Sequence, residues 1–402
     1  MLKRIDASQL KPGMYIHDLN CDWMAHPFLR KRFLVTTESE VARVIDAGIR
    51  DLYIDVSQGD DVPDAPTEKE IRQATEAEMK RAAEEPPPAR VSAGEELGRA
   101  RRIVGEAGQI IRDVMRDARL GKQVSVEKVE PVVERITESI LRNSGALISL
   151  TRVKNKDDYT FVHSVSVCTL LVAFGRALGM RQDDIHQLGI GGMLHDIGKT
   201  SIPDKILNKP GRLTDEEFAV MKSHAAESRR ILSETPGISR RAIGIAAEHH
   251  ERHDGSGYPD GLKGDAISPM GQMAAICDVY DAITSDRVYH KGMAPTEGLR
   301  KIFEWSKFHF NPDLVQAFLR TIGIYPVGSL VMLESGRIAV VLEQHEGNLL
   351  NPTVRVVFHS RSNHYIPPED VDLSRTIGHG GGDRIVGHET PEKWKIDPMR
   401  FL

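Results

Sequence analysis

Apolar residues recur with a helical period through the middle of the chain. A spacing of three and four residues places side chains along one face of a helix. One series with this spacing consists of Ile103, Ala107, Ile110 and Val114, and a second consists of Val126, Val129, Val133, Ile136 and Ile140. The pattern predicts two amphipathic helices, and further apolar segments of helical character continue to about residue 325.

The two ends of the chain have a different pattern. Near the start, "GMYI" and "LYIDV" have the character of strands, and a capping box of Thr37 and Glu40 opens a helix that ends at Gly48. Past Tyr325, the β-branched runs "VGSLVML", "RIAVVLE" and "TVRVVF" are separated by glycine-containing turns. We therefore expect a small α/β module over residues 1–60 and a short β meander over residues 326–402.

The segment that follows the α/β module has a biased composition. Residues 61–96 are rich in Glu, Ala and Pro and contain almost no large apolar side chain. Such a segment buries too little surface to offset the entropy lost on ordering, so we predict a linker, helical in part. A helical connector over residues 97–125 and a helical domain over residues 126–325 complete the expected organisation. The expected fold class is mainly α.

Composition and charge narrow the functional classes. Of the 402 residues, 40% are hydrophobic and 28% charged, as in folded proteins, and the formal net charge of -5 indicates no basic patch for duplex nucleic acid. Three widely spaced cysteines are typical of reduced thiols. The most apolar run is interrupted at Arg176, short of the ~20 residues that a membrane span needs. We expect a cytoplasmic protein without membrane insertion.

Charged residues interrupt the apolar helical segments at a few positions. The stretch "GGMLHDIGKTSIPDK" places His195 and Asp196 side by side in an apolar segment. Taken singly, such a residue is more often a hydrogen-bonded core residue than a metal ligand. Five more candidate ligands lie in other helical segments, namely His163, His224, His249, His250 and Asp278. Burying all of them is costly unless a partner neutralises them, so the set predicts bound divalent metal.

The seven residues sort into two expected metal sites that share one carboxylate. The first site would have the ligands His163, His195, Asp196 and Asp278, and the second His224, His249 and His250. Asp196 would bridge two ions roughly 3.5–4 Å apart, the spacing found in two-metal hydrolases. Imidazole and carboxylate ligands suit two divalent transition metal ions such as Fe, Mn, Ni, Co or Zn, and affinity order does not choose among them.

Three segments together carry a resemblance to a known family. "HDIGK", "EHHERHDGSGYPDGLKG" and "DVYDAITSDRVYH" resemble the HD-GYP family, the cyclic di-GMP phosphodiesterases within the HD metal-dependent phosphohydrolases. The resemblance extends over residues 126–325 and implies a helical HD-GYP bundle. Residues 1–60 also resemble a small domain of unknown function often found in front of this catalytic domain.

The resemblance implies a role for each motif residue. It makes the seven residues above the metal ligands, and places Asp196 and Lys199 in the catalytic machinery. We expect Lys199 and Arg287 to contact the substrate phosphate and Tyr258 to line the substrate groove. His290 stands where family members commonly carry Arg or Lys, so we expect it to be a weaker, pH-sensitive substrate contact. Hydroxide from a metal-bound water would attack phosphorus, so no side-chain base is required. Some family members hold a third ion with a glutamate, but here that position is Tyr159, a poor ligand, and we expect two ions.

The expected reaction is hydrolysis of cyclic di-GMP to pGpG, with GMP as a further product. A preference for cyclic GMP-AMP stays open, as does a non-catalytic module that binds the dinucleotide. A nucleotidase is a third alternative, which the glycine-rich loop disfavours. The expected ligand is cyclic di-GMP, and the candidate protein partners are a diguanylate cyclase and a second copy of the chain in a homodimer.

Overall fold

The computed structural model describes most of the chain and divides it into two compact units. The described residues are 1–21, 32–82, 91–151, 159–209, 211–285, 292–345, 348–375 and 382–402. Residues 1–78 with 208–219 form the first unit, and residues 79–207 with 220–402 form the second.

The first unit contains a four-stranded antiparallel sheet. Its strands are β1 (Leu2–Asp6), β2 (Tyr15–Asp18), β3 (Phe33–Leu34) and β4 (Asp51–Asp55), in the order β1-β4-β2-β3. Helix α1 (Glu38–Asp46) packs its buried residues into a core shared with the sheet, and α2 (Glu68–Ala82, with residues 79–82 in the second unit) follows. The Thr37 hydroxyl accepts the Glu40 N–H at 3.3 Å, and Gly48 has a φ of +76°. The expected α/β module with its capping box is confirmed.

The second unit is largely helical. Its helices are α3 (Ala93–Arg119), α4 (Val126–Thr151), α5 (Tyr159–Ala177), α6 (Gln182–Leu194), α7 (Asp204–Leu207), α8 (Asp215–Ser233, with residues 215–219 in the first unit), α9 (Arg240–Glu248), α10 (Pro269–Thr284), α11 (Pro295–Trp305) and α12 (Pro312–Ile322). The mainly α fold class is confirmed. One core cluster extends across these helices and contains the apolar faces of α3 and α4.

The apolar positions predicted to face the core are all buried in α4, and in α3 one predicted position differs from the structure. All five apolar residues of the second series are buried. In α3, Ile111 is buried, whereas Ile110 is only partly buried. Ile111 lies four residues after Ala107 and three before Val114, so it shares their face equally well. At Asn143 the backbone of α4 leaves the helical region, with a φ of -159° and a ψ of 108°.

A five-stranded antiparallel sheet follows the helices in the second unit. Its strands are β5 (Leu330–Leu333), β6 (Arg337–His345), β7 (Asn348–His359), β8 (His364–Asp372) and β9 (Ile385–Glu389). Strands β5 to β8 pair consecutively, as expected for a meander, but β9 returns to pair with β5, giving the order β8-β7-β6-β5-β9. A short helix, α13 (Pro391–Trp394), comes after β9.

Among the described residues, one helix is long and apolar enough to cross a membrane. It is α5, over Thr160–Ala177, and 72% of this stretch is buried inside the protein. The core helix of a globular protein has the same length and composition, and α5 packs against α4, α6 and α10. The same helix contributes a side chain to the cluster described next.

Candidate metal centre

The seven predicted ligands lie together in the second unit, and each is at most 4% exposed. Three groups have one ligand atom per residue within 4.8 Å of one another: His224, His249 and His250; His163, His195 and Asp278; and His195, Asp196 and His249. The first two groups contain the residues expected for the two sites apart from Asp196, and their role as metal ligands stays a prediction. The third connects them through Asp196.

Close helix packing brings these residues to one place. His195 follows the last residue of α6, and His249 follows the last residue of α9. A Cβ on Gly191 would lie 2.6 Å from Ile245 Cδ1, and a Cβ on Gly192 would lie 3.0 Å from Cys168 Cα. Glycine at these two positions therefore lets α6 approach α9 on one side and α5 on the other.

The two oxygens of Asp196 face different histidine groups. Asp196 Oδ1 lies 3.4 Å from His224 Nε2 and 3.9 Å from His249 Nε2. Asp196 Oδ2 lies 3.3 Å from His195 Nε2 and 3.8 Å from His163 Nε2. Both Asp196 Oδ1 and His195 Nε2 are buried without a hydrogen-bond partner, which is rare for polar atoms in a protein interior. An ion on each side of the carboxylate would satisfy them.

Backbone carbonyls fix the orientation of three imidazole rings. In His195, His224 and His249 the Nδ1–H donates to the carbonyl three residues earlier, at 2.8, 2.7 and 2.8 Å. A carbonyl oxygen only accepts, so each Nδ1 carries a proton and each Nε2 is the ring nitrogen that faces Asp196. Such outer partners are usual for metal-binding histidines.

A carboxylate that the sequence reasoning missed orients His163. Asp281 Oδ2 lies 2.6 Å from His163 Nδ1, and Asp281 is 4% exposed. His163 Nε2 then points at Asp278 Oδ1, 2.9 Å away. Asp281 lies three residues after Asp278 on α10, so both carboxylates share one helix face. That spacing in "DVYDA" is the signal that could have identified it.

Both ligand carboxyls are held ionised. Burial raises the pKa of Asp196, but the charges of Lys199 and His195 outweigh burial and hold it well below its usual range. Burial likewise raises the pKa of Asp278, and the hydrogen bond from His163 with the nearby imidazoles holds it well below normal. Ionised carboxylates are the form that binds metal.

Most of the imidazoles are held neutral. Burial, reinforced by the charge of Lys199, lowers the pKa of His224 to about 4. Burial lowers the pKa values of His249 and His250 well below the usual range. Burial also lowers the pKa of His195, but the two site carboxylates outweigh it, and the net direction is upward. The neutral imidazoles of His224, His249 and His250 and the ionised carboxylates are donors that suit divalent transition metal ions.

A loop places the aromatic ring of Tyr258 beside the cluster, and Lys222 of α8 lies near that ring. The ring of Tyr258 lies 4.7 Å from the ring of His250 at an interplanar angle of 31°, and Lys222 Nζ lies 5.9 Å from the Tyr258 ring centre. The buried Glu251 carboxylate accepts the N–H groups of Asp260 and Leu262 at 2.8 and 2.9 Å. This contact fixes the loop that carries Tyr258.

Lys199 is the remaining described residue of the predicted site. Its Nζ lies 2.6 Å from Asp196 Oδ2, and its side chain is 20% exposed at the edge of the cluster. Arg287 and His290, the other predicted substrate contacts, lie outside the described residues. The backbone of α5 begins at Tyr159, four residues before His163.

Comparisons with known proteins match both parts of the chain. Residues 2–129 match the domain of unknown function DUF3391, and residues 137–314 match the HD domain. A Pseudomonas aeruginosa protein named "Cyclic di-GMP phosphodiesterase PA4108" is 42% identical over 397 residues, covering 98% of this chain and 94% of that protein. A Vibrio cholerae "3'3'-cGAMP-specific phosphodiesterase 1" is 38% identical over 154 residues, covering 38% of this chain and 36% of that protein. An HDG"Y"P protein structure from Bdellovibrio bacteriovorus aligns with a TM-score of 0.47 and 20% identity, covering 79% of this chain and 98% of that one.

Proposed function

Because the chain belongs to the HD-GYP family of HD-domain phosphodiesterases, we propose that it hydrolyses cyclic di-GMP to the linear dinucleotide pGpG. The observation that carries the proposal is the Asp196 carboxylate, whose two oxygens face two different histidine groups at 3.3–3.9 Å. The relative that is similar along nearly the whole chain bears the name of a cyclic di-GMP phosphodiesterase.

The candidate ligands divide between the two proposed ions. One ion would be held by the group of His163, His195 and Asp278, and the other by His224, His249 and His250, with Asp196 shared. When bound, the two ions supply positive charge and Lewis acidity for attack on the phosphodiester. The near-complete burial of these side chains keeps bulk water from competing for the ligand positions.

Lys199 supplies a cation at the open edge of the centre. In the hydrolysis, water oxygen bonds to phosphorus, the bond from phosphorus to O3′ breaks, and the departing O3′ takes up a proton. Charge grows on the phosphate oxygens during this exchange. The Lys199 ammonium, 2.6 Å from Asp196, can donate a hydrogen bond to one of these oxygens and stabilise that charge.

We propose that the dinucleotide lies beside the metal centre and over the loop that carries Tyr258. Tyr258 presents an aromatic ring against His250, and aromatic faces stack with bases. We assign Tyr258 to the wall that faces the dinucleotide. Substrate contacts from Arg287 and His290 stay predictions from the sequence.

We further propose that the reaction occurs in the cytoplasm. The proposal is supported by Cys168 and Cys277, which are free thiols among the described residues. Binding of a diguanylate cyclase and formation of a homodimer stay predictions, which co-purification and light scattering can test.

The direct test of the function is product analysis. Metal-loaded protein is incubated with cyclic di-GMP and, separately, with cyclic GMP-AMP, and the products are resolved by chromatography. We expect pGpG from cyclic di-GMP, with any GMP accumulating later. Faster hydrolysis of cyclic GMP-AMP would instead favour a cyclic GMP-AMP phosphodiesterase, the activity for which the Vibrio cholerae relative is named. Intact substrate in both reactions would favour a binding module.

The controls separate chemistry at the centre from general damage. Asp196→Ala removes the shared ligand and should abolish hydrolysis. Asp113→Ala removes a partly exposed carboxylate of α3 that pairs with Arg116, and should leave hydrolysis unchanged. Loss of activity in both variants would point away from a specific role for Asp196.

A further inference from the structure

The hydroxyl of Ser228 joins α8 to the turn that follows α6. Ser228 lies one helical turn after His224 and is 0% exposed. Its Oγ donates to the His195 carbonyl oxygen at 2.7 Å and accepts the Gly198 N–H at 2.9 Å. One side chain therefore satisfies backbone groups at both ends of the segment 195–198.

The segment that Ser228 closes carries the shared carboxylate. Asp196 has a φ of -95° and a ψ of 10°, between the end of α6 and the 3₁₀ turn Ile197–Ser201. A Cβ on Gly198 would lie 2.0 Å from the His224 carbonyl oxygen, so this turn lies directly against the backbone of α8. The two hydrogen bonds of Ser228 hold the turn at that contact.

We infer that Ser228 is a positioning residue for the two-metal centre, an inference that rests on the proposed metal-dependent function. Its hydroxyl bonds backbone atoms and acts through Asp196. Since Asp196 faces both histidine groups, a shift of the turn changes a ligand of both ions at once. The Nδ1 bonds of His195 and His224 to their own helices do not involve Ser228, so the orientations of these rings are kept.

The effect of Ser228 differs in kind from that of Asp281. Loss of an outer partner of a metal ligand typically lowers metal affinity about 10- to 100-fold. Ser228→Ala should lower the affinities of both ions together by a factor in this range. Asp281→Ala acts through His163, which belongs to one group, and should lower the affinity of one ion more than that of the other.

The experiment is a calorimetric titration of metal-free, full-length protein with Mn²⁺. The wild-type chain is compared with Ser228→Ala, Asp281→Ala and the control Ser149→Ala. Ser149 is also a fully buried serine, but its hydroxyl donates to the carbonyl of Ala146 in its own helix. Ser228→Cys keeps a small polar group and provides a second measurement if Ser228→Ala does not fold. Thermal unfolding with EDTA reports the stability of each metal-free variant.

The outcomes separate the inference from the function on which it rests. We expect two Mn²⁺ per chain in every variant, parallel weakening of both sites in Ser228→Ala, a smaller parallel effect in Ser228→Cys, and wild-type affinities in Ser149→Ala. Wild-type affinities for both ions in Ser228→Ala would overturn the inference alone, and so would weakening of only one site. A wild-type chain that binds no Mn²⁺ would overturn the proposed function and the inference with it.

Discussion

Replacement of Asp196 by alanine should weaken metal binding and so remove most of the thermal stability that bound metal adds. The substitution removes one ligand from each ion and one negative charge from a site where each carboxylate oxygen lies 3.3–3.9 Å from two imidazole nitrogens. It also removes the ion-pair partner of Lys199, whose 20% exposed side chain can hydrate instead. We therefore expect the substitution to lower the stability of the metal-bound protein strongly and that of the metal-free protein only slightly.

The size of the effect follows from binding linkage. An ion at 100 times its Kd stabilises the folded state by about 2.7 kcal/mol, so two ions contribute about 5 kcal/mol in the wild-type protein. If each Kd rises about 100-fold, the same metal concentration equals the new Kd and the two ions together contribute about 0.8 kcal/mol. For a chain of 402 residues this corresponds to about 1.2 °C per kcal/mol, so the metal-induced rise in Tm falls from about 6 °C to about 1 °C.

The assay is thermal unfolding of each variant with EDTA and with a fixed excess of Mn²⁺. Metal content is measured in parallel on the same samples. Asp113→Ala is the matched control and should keep the full metal-induced rise in Tm. A full rise in Asp196→Ala, with two metals per chain, would refute the shared role of this carboxylate.

Three further predictions concern pH, the loop and the substrate. The pKa of His224 is about 4 in the folded protein and about 6.5 in the unfolded protein, so the unfolded state binds more protons between these pH values. The metal-free protein should therefore lose stability as pH falls from 6.5 to 4, which urea titrations at each pH can measure. Glu251→Gln replaces one of the two oxygens that accept loop N–H groups with a donor, which loosens the loop that carries Tyr258. KM should therefore rise roughly tenfold at unchanged metal content, and an unchanged KM would contradict this role. Arg287→Ala should raise KM in steady-state kinetics more than it lowers kcat.

The convergence of the seven candidate ligands could be predicted because buried charge demands a partner. Polar residues within otherwise apolar helical segments, such as His195 and Asp196, are explained only if they converge, and the structure brings all seven together. The residue types alone were enough to divide the seven candidate ligands between two expected metal sites. The same reasoning could not find Ser228, since a serine on a helix is ordinary and its two backbone partners lie 30 and 33 residues earlier in the chain.

Features that depend on tertiary contacts were likewise beyond the sequence pattern. Asn143 interrupts α4 because its side chain donates to the Val91 carbonyl at 2.7 Å and accepts the Ala146 N–H at 3.1 Å. The bond to Val91 needs a neighbouring segment in place, whereas the bond from Ala146 is local to α4. The apolar period of α4 gives no sign of either. The return of β9 to β5 is similar, since local strand character does not specify a distant partner.

The backbone itself favours cations at this centre. α6 and α9 both end at the cluster, where the last carbonyls of a helix lack partners in the helix and carry partial negative charge. His195 and His249 each donate Nδ1–H to one of these carbonyls, so the helix end also sets which ring nitrogen faces the centre. The helix ends thus determine the ring nitrogens that can bind metal and add a favourable potential for positive ions. Because this contribution comes from peptide groups, side-chain substitutions at single ligands should weaken metal binding without removing the preference for cations.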